Sequence, residues 1–473
     1  MGMLKYILNF VCMNKSVFYK RHFAGDGGIS KLLAIAFPMI VSQASDTCMM
    51  FADRYFLSQL GKVYISASMI GGISSFFVMT LWFGMNGYVN ALVAQHYGAK
   101  EYGKCSLAVM QGLILCILSY PFILCSIPLT EMLFHISLPD PEQLILQKKY
   151  FVILTLGTPL ALIRVVLSGF FSGIGRTAIV MFANITGMLI NIPLTYAMVF
   201  GKFGLPRLEI SGAAYGTVIA SCTTSMILLI SYMRKKYRAR FEIMKNVYLD
   251  KKMFCKLVRY GFPIGAELFL AIAAFNVAMQ QFHTYGIDVA TAMTITFNWD
   301  LVAFLPMIGL STATTSLVGQ NIGAGNLYEA ERSGISGLKI SSTYSLSIAA
   351  IFLLFPNFLI NVFIPENKLL NYTQVISMAK EMLYLVTIYI SFDAWSLVLS
   401  GTLRGAGDTL WPMWISIIYH WLFTSAIIFL IRWIFVPPML AWSIFIMLPI
   451  FQCATVFLRF KIGNWKSVQC IRS

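Results

Sequence analysis

Apolar stretches of 20 or more residues follow one another along nearly the whole chain, separated by short polar breaks. Each is long enough for a helix to cross the hydrocarbon layer of a bilayer. The pattern predicts twelve spans, at 31–57, 64–93, 105–129, 144–170, 177–200, 211–233, 254–282, 289–318, 335–362, 374–400, 410–434 and 438–460. Charged residues stand out wherever they interrupt these runs. Asp46 and Asp53 lie in and at the end of the first span, seven residues apart, which is close to two helical turns and places both on one face. Arg164, Glu267, Asp300 and Asp393 interrupt later spans. A charge at the centre of a membrane helix costs roughly 2.5–3.5 kcal/mol on insertion scales, so each calls for a partner or a use.

Composition agrees with that pattern. Hydrophobic residues make up 58% of the 473, charged residues only 11%, and the mean hydropathy is +0.75. Soluble domains carry about 25% charged residues, so a soluble enzyme or regulator is excluded. The net charge of +16 is a matter of placement rather than of nucleic-acid binding. With the N-terminus inside, 25 of the 35 Lys and Arg fall in or beside inner segments, as the positive-inside rule requires. Ten of them lie in 234–259, "RKKYRARFEIMKNVYLDKKMFCKLVR", where contact with anionic lipid headgroups is expected. This predicts a multi-pass protein of the inner (plasma) membrane with both termini cytoplasmic. The N-terminal stretch lacks the form of a signal peptide or a myristoylation site. Nine scattered cysteines with no CxxC read as small apolar residues or reduced thiols, no fixed metal set is present, and no phosphate-cradling glycine loop supplies an ATPase. Any transport must therefore draw on an ion gradient or a partner.

The chain is also written twice. Pro38 and Pro263 are 225 residues apart, and "ALVAQHYGAKEYG" (91–103) matches "SLVGQNIGAGNLY" (316–328) at the same offset, including Gln95/Gln320 and Gly98/Gly323. "SGFFSGIGRT" (168–177) and "SGTLRGAGDT" (400–409, with Gly401 and Gly405) agree at five of ten positions with an offset of 232. Six spans per repeat is an even number, so the repeats are parallel and related by an axis along the membrane normal. The expected fold is all-α and integral to the membrane: twelve helices in two six-helix lobes. Residues 1–30 form an N-terminal cytoplasmic segment, 31–234 the first lobe, 235–256 a basic linker, 257–460 the second lobe and 461–473 a tail. The glycines of both loops are expected as left-handed helix caps, scaffold rather than site.

The proline in span 1, "ADRYFLSQLG", the Gln-x-x-Gly-Ala loops and "SGTLRGAGDTLWP" resemble the multidrug and toxic compound extrusion (MATE) family, over essentially 31–460. The resemblance implies export of organic, mostly cationic compounds in exchange for H⁺ or Na⁺, with no cofactor and no enzymatic step, by a monomer in the lipid bilayer. Position by position, Asp53 matches the family's first-span Asp, Asn191 a polar fifth-span neighbour, and Asp393 the tenth-span Asp of the NorM-like branch. Thr195 stands where the DinF-like branch has a second acid. Ala271 replaces the NorM-like seventh-span Glu, with Glu267 one turn earlier as a substitute and a Na⁺ ligand beside Asp393. Asp46 and Asp300 remain cavity-lining candidates, and Arg164 a buried partner for one of the acids. The His-x4-Asp spacing of His283 and Asp288 is a chance match, and His420 reads as packing. Three rivals are weaker. A major-facilitator transporter needs a basic motif after span 2; a lipid-linked saccharide flippase of the same superfamily needs a basic cavity; a membrane enzyme needs a converging catalytic set.

Overall fold

The computed structural model describes residue 23 and residues 25–136, 141–363 and 373–467, and its regular elements are all helical. The expectations for 1–22 and for the end of the tail fall outside the described residues. Eleven helices are long and apolar enough to cross a membrane, and the twelfth crossing is a pair bent by 43°. The first repeat holds span 1 (Ile29–Ser58), span 2 (Lys62–Gly87 with Val89–Gly98), span 3 (Tyr102–Ile136), span 4 (Pro141–Leu156 with Thr158–Gly173), span 5 (Thr177–Phe200) and span 6 (Ile210–Met233). The second holds span 7 (Lys251–His283), span 8 (Ile287–Gly323), span 9 (Leu327–Leu354), span 10 (Thr373–Ala406), span 11 (Leu410–Ile434) and span 12 (Pro438–Ile462). The bend in span 4 has a local cause. Pro159 follows Gly157 at the start of the second helix, and its ring cannot donate to the ladder. Span 7 starts earlier than the apolar pattern suggests, because Asp250 accepts a bond from the Met253 amide at 2.7 Å and caps the helix there.

The repeat is visible in the packing. Spans 1 and 5 pair as spans 7 and 11 do, and spans 2 and 4 pair as spans 8 and 10 do. Between lobes, span 1 meets span 8 and span 2 meets span 7. In lipid no hydrophobic force drives helices together, so close crossings fall to small residues. Gly84 lies against Gly265 on the 2–7 seam, and Gly309 lies against Met39 and Ile40 on the 1–8 seam, the same contact at the 225 offset. Pro38 and Pro263 each sit two residues before that crossing, inside spans 1 and 7. Farther along the 2–7 seam, Phe77 and Phe269 stack with ring centroids 4.4 Å apart.

One end of the molecule, the end that holds the linker, is sealed by a reciprocal contact. A side chain at Gly98 would strike the Gln320 carbonyl oxygen, and one at Gly323 would strike the Gln95 carbonyl oxygen. Gln95 Nε2 donates to the Gly405 carbonyl at 2.8 Å, and Gln320 Nε2 donates to the Gly173 carbonyl at 2.8 Å. Ser316 adds a bond to Asn90 Oδ1 at 2.9 Å. The first helix of each lobe gives its near half to the other lobe. Leu32, Ile35 and Ala36 pack with Met307, Leu310 and Leu317, while Met253, Leu257 and Ile264 join Tyr88, Leu92 and Phe170. Residues just ahead of span 1 also cross over, with the Gly27 amide donating to Glu329 and the Gly27 carbonyl accepting from Ser336 at 2.8 Å.

The motif glycines divide into two kinds. Gly175, Gly325 and Gly407 adopt left-handed backbone just past helix ends, as expected, as does Lys100, whereas Gly98, Gly323, Gly401 and Gly405 are helical and correct the reading of those four as caps. The four helical glycines lack a side chain because a neighbouring helix lies against their Cα, with Ser311 and Thr315 crowding Gly401 and Gly405. Gly98→Val therefore forces the sealed end apart. In a background with the native cysteines replaced, Ser316→Cys is expected to react slowly with a water-soluble maleimide and several times faster once Gly98→Val is added. Equal reactivity would contradict the seal.

Candidate functional site

Span 1 carries Ser42, Asp46 and Asp53 at helical spacing, so one face of it looks into the first lobe. Each meets a partner on a different helix. Ser42 takes a hydrogen bond from Asn184 of span 5, and Asp46 Oδ1 pairs with Arg164 of span 4 at 2.7 Å. Asp53, only 6% exposed, accepts from Thr217 of span 6 at 2.8 Å. Thr195 and Tyr150 also lie beside Asp53. Among the described residues no ion pair joins Asp53 to its neighbour Arg54, so Asp53 is not a solvated helix end. Asn191 is fully buried one turn before Thr195 on span 5. Both polar atoms of Asn191, the second carboxylate oxygen of Asp53 and the Thr195 hydroxyl are buried without a protein partner. Three of these atoms belong to two residues one turn apart on span 5 and the fourth to Asp53, which lies beside Thr195. A buried polar group left unpaired costs about 1–3 kcal/mol, so these four atoms destabilise an otherwise apolar lobe.

The second lobe holds two separate acidic features. Glu267 of span 7 pairs with Arg404 of span 10 at 2.8 Å, with His420 of span 11 beside it. Asp300 of span 8 lies near Tyr389 and Asp393 of span 10, close enough for the three groups to act on one another electrostatically. Tyr389 and Asp393 are four residues apart and share a helix face. The structure thus brings Asp300 and Asp393 together but sets Glu267 elsewhere. Arg404 lies eleven residues past Asp393 on the same helix, about 16 Å along its axis.

The sorting of the acids follows from charge. Arg164 does pair with an acid as expected from the sequence, though the pair is half-buried rather than buried, and Asp46 is spent on it. Arg404 does the same for Glu267. Asp53 in one lobe, and Asp300 with Asp393 in the other, have no basic partner among the described ion pairs. Sequence reasoning missed Thr217, Tyr389 and Arg404. Tyr389 stands one turn before an acid and was legible by spacing, whereas Arg404 lies in a glycine-rich stretch that reads as loop. Thr217 has no sequence signal at all.

The family model described as MatE matches this chain twice, over residues 38–197 and 263–430, once in each repeat. The chain belongs to the MATE family. The relative named probable multidrug resistance protein NorM in Pseudomonas aeruginosa is 28% identical over 399 residues, covering 83% of this chain and 81% of the relative. Multidrug resistance protein NorM of Vibrio cholerae is 27% identical over 423 residues, covering 87% of this chain and 89% of that one. Among solved structures, one titled as the outward-facing conformation of a multidrug resistance MATE family transporter of the MOP superfamily superposes with a TM-score of 0.83. It has 19% identity and covers 95% of this chain and 98% of that one, a likeness of fold. In this MATE protein the two matched stretches begin at Pro38 and Pro263, the prolines that mark the repeat.

The second-lobe ion pair gives a stability prediction. Arg404→Ala leaves the Glu267 carboxylate buried and alone, which costs about 3–5 kcal/mol. The thermal midpoint in detergent is expected to fall sharply for Arg404→Ala, and to recover most of the loss in the double variant Glu267→Gln with Arg404→Gln. A double variant as unstable as the single would show that the pair is not what holds these helices.

Proposed function

We propose that this protein is a secondary active efflux transporter that exports organic, cationic compounds by antiport with H⁺ or Na⁺. One observation carries the reading. A two-lobed membrane bundle, sealed at one end by interdigitated backbone, keeps in each lobe an acid that no arginine or lysine neutralises. A carboxylate held in a low-dielectric interior is discharged by a proton or by a bound cation, and the two compete. Ion entry on one side then releases a cationic substrate, and substrate entry on the other releases the ion. One charge crossing about 100 mV is worth about 2.3 kcal/mol, which sustains a little over tenfold accumulation. The names of the relatives, multidrug resistance proteins, support the substrate class.

In this reading the sealed end, with its linker and ten basic residues in 234–259, faces the cytoplasm of the inner membrane. The protein works as a monomer, and the structure corresponds to a state closed toward the cell interior. The cation site of the second lobe is Asp393 with Asp300, oriented by Tyr389. Glu267 has a weaker claim, because Arg404 already balances its charge. The first-lobe site is Asp53, served by Thr217, with Asn191 and Thr195 supplying free polar atoms when its protonation changes. Since Thr195 takes the place of a second acid, that site holds one proton. Asp46 contributes through its ion pair with Arg164. A saccharide flippase is disfavoured because Arg164 and Arg404, the arginines beside these acids among the described residues, are paired with Asp46 and Glu267 rather than free to take a pyrophosphate.

The test is dye efflux and dye binding in reconstituted vesicles, with H⁺ and Na⁺ gradients imposed separately. Asp393→Asn is expected to fold and insert normally yet lose gradient-driven efflux, and Tyr389→Phe to slow it severalfold. Asp53→Asn, a mimic of the protonated form, is expected to bind dye without cycling, whereas Asp46→Asn is milder. Normal pumping by Asp393→Asn would remove the second-lobe assignment, and normal pumping by Asp53→Asn the first.

A further inference from the structure

The segment between the lobes is a fixed plate with two unlike sides. One side is fastened to the first lobe. Phe241 is buried against Phe170, with ring centroids 5.0 Å apart, and Ile243 is buried beside it. Ser106 donates to the Phe241 carbonyl at 2.6 Å, and the Asn246 amide donates to the Gly103 carbonyl at 3.0 Å. Gln111 of span 3 then clasps the far end from both directions. Its Nε2 donates to the Tyr248 carbonyl at 3.0 Å, and its Oε1 accepts from the Asp250 amide at 3.2 Å. Arg240 lies over the Tyr102 ring, 4.5 Å from its centroid, so its guanidinium is committed to the protein.

The other side is left bare. Met244, Val247, Tyr248 and Leu249 are 62%, 58%, 50% and 51% exposed, four large apolar side chains within six residues. Around them Lys235, Lys236, Arg238, Lys245, Lys251 and Lys252 are exposed as well. The acids of the segment are occupied, Glu242 by Lys245 at 3.2 Å and Asp250 by the cap on span 7. Because the segment is fastened from behind, it cannot turn over to hide its apolar residues. In water this surface is a liability. At the edge of a bilayer the same combination, apolar side chains flanked by bases, is what an anionic interface takes up.

We propose that residues 235–252 form a platform for anionic phospholipid. Met244, Val247, Tyr248 and Leu249 enter the interfacial layer, and the five exposed bases outside the Glu242 pair, Lys235, Lys236, Arg238, Lys251 and Lys252, hold lipid phosphates. Charge complementarity selects this occupant, since a zwitterionic surface offers the apolar residues a place but gives the bases no net attraction. The platform ends where Gln111 holds the start of span 7, so bound lipid fixes the point from which the first helix of the second lobe leaves.

The test uses the full chain with native cysteines replaced and Tyr248→Cys carrying an environment-sensitive fluorophore, a change that spares the backbone clasp. It is placed in nanodiscs of phosphatidylcholine alone or of phosphatidylcholine mixed with phosphatidylglycerol, with brominated acyl chains as quenchers. Strong quenching in the mixed discs, weak quenching in phosphatidylcholine and loss of the difference at high salt are the expected results. Lys235→Gln, Lys236→Gln, Arg238→Gln and Lys252→Gln together are expected to lower the preference for phosphatidylglycerol by about tenfold or more, at several-fold per base. Equal quenching in both lipids, or a fluorophore that remains in water in both, would overturn the proposal. So would a spectral response to inorganic phosphate in detergent that matches the response to phosphatidylglycerol, because the site would then bind soluble anions. The readout is binding to lipid, so its failure leaves the transport reading untouched.

Discussion

Two backbone carbonyls, those of Gln95 and Gln320, lie against the bare Cα atoms of Gly323 and Gly98, and the sealed end of the molecule is built on that approach. Helix packing in a bilayer gains little from excluding water, so it must come from close van der Waals contact and hydrogen bonds that lipid cannot replace. Bare glycines let the backbones close far enough for each glutamine amide to reach a carbonyl in the opposite lobe. The same economy of side chain recurs at Gly84 with Gly265 and at Gly309 with Ile40. A seam made of backbone bonds and short side chains has little bulk to rearrange, which suits a joint that must part and re-form as one unit.

Charge inside the bundle obeys a second rule. An arginine inside the bundle has to be answered where it stands, and Arg164 and Arg404 each take one acid out of circulation. What is left over is unevenly divided. The first lobe keeps one acid bonded by a neutral hydroxyl, while the second keeps two acids near one tyrosine. Two carboxylates side by side repel unless a proton or a cation sits between them. The lobes are thus alike in backbone and unlike in the chemistry they offer an ion.

Much of this was legible beforehand, and the limits have physical causes. Span number, the parallel repeat and the pairing of Arg164 with an acid follow from hydropathy, from residues recurring at one offset and from the cost of a lone charge in lipid. The split among the glycines was not legible, because the turn glycines Gly175, Gly325 and Gly407 and the close-packing Gly98, Gly323, Gly401 and Gly405 look alike until the opposing helix is known. Glu267 shows the same limit. Its spacing from Pro263 was visible, but its partner Arg404 lies 137 positions later, in a stretch that reads as loop. Contacts between distant spans need three dimensions, while periodicity within one helix does not.

The stacked rings of Phe77 and Phe269 have no counterpart across the pseudo-symmetry axis. The positions related to them by the 225 offset are Val302 and Ala44, which carry no ring. An aromatic stack adds about 0.5–1.5 kcal/mol beyond the area it covers. A symmetric bundle would gape evenly along both edges of its cleft. Here the two edges differ: parting spans 2 and 7 means giving up a ring stack that parting spans 1 and 8 does not, so the repeat that matches in backbone is unequal in what holds each edge shut.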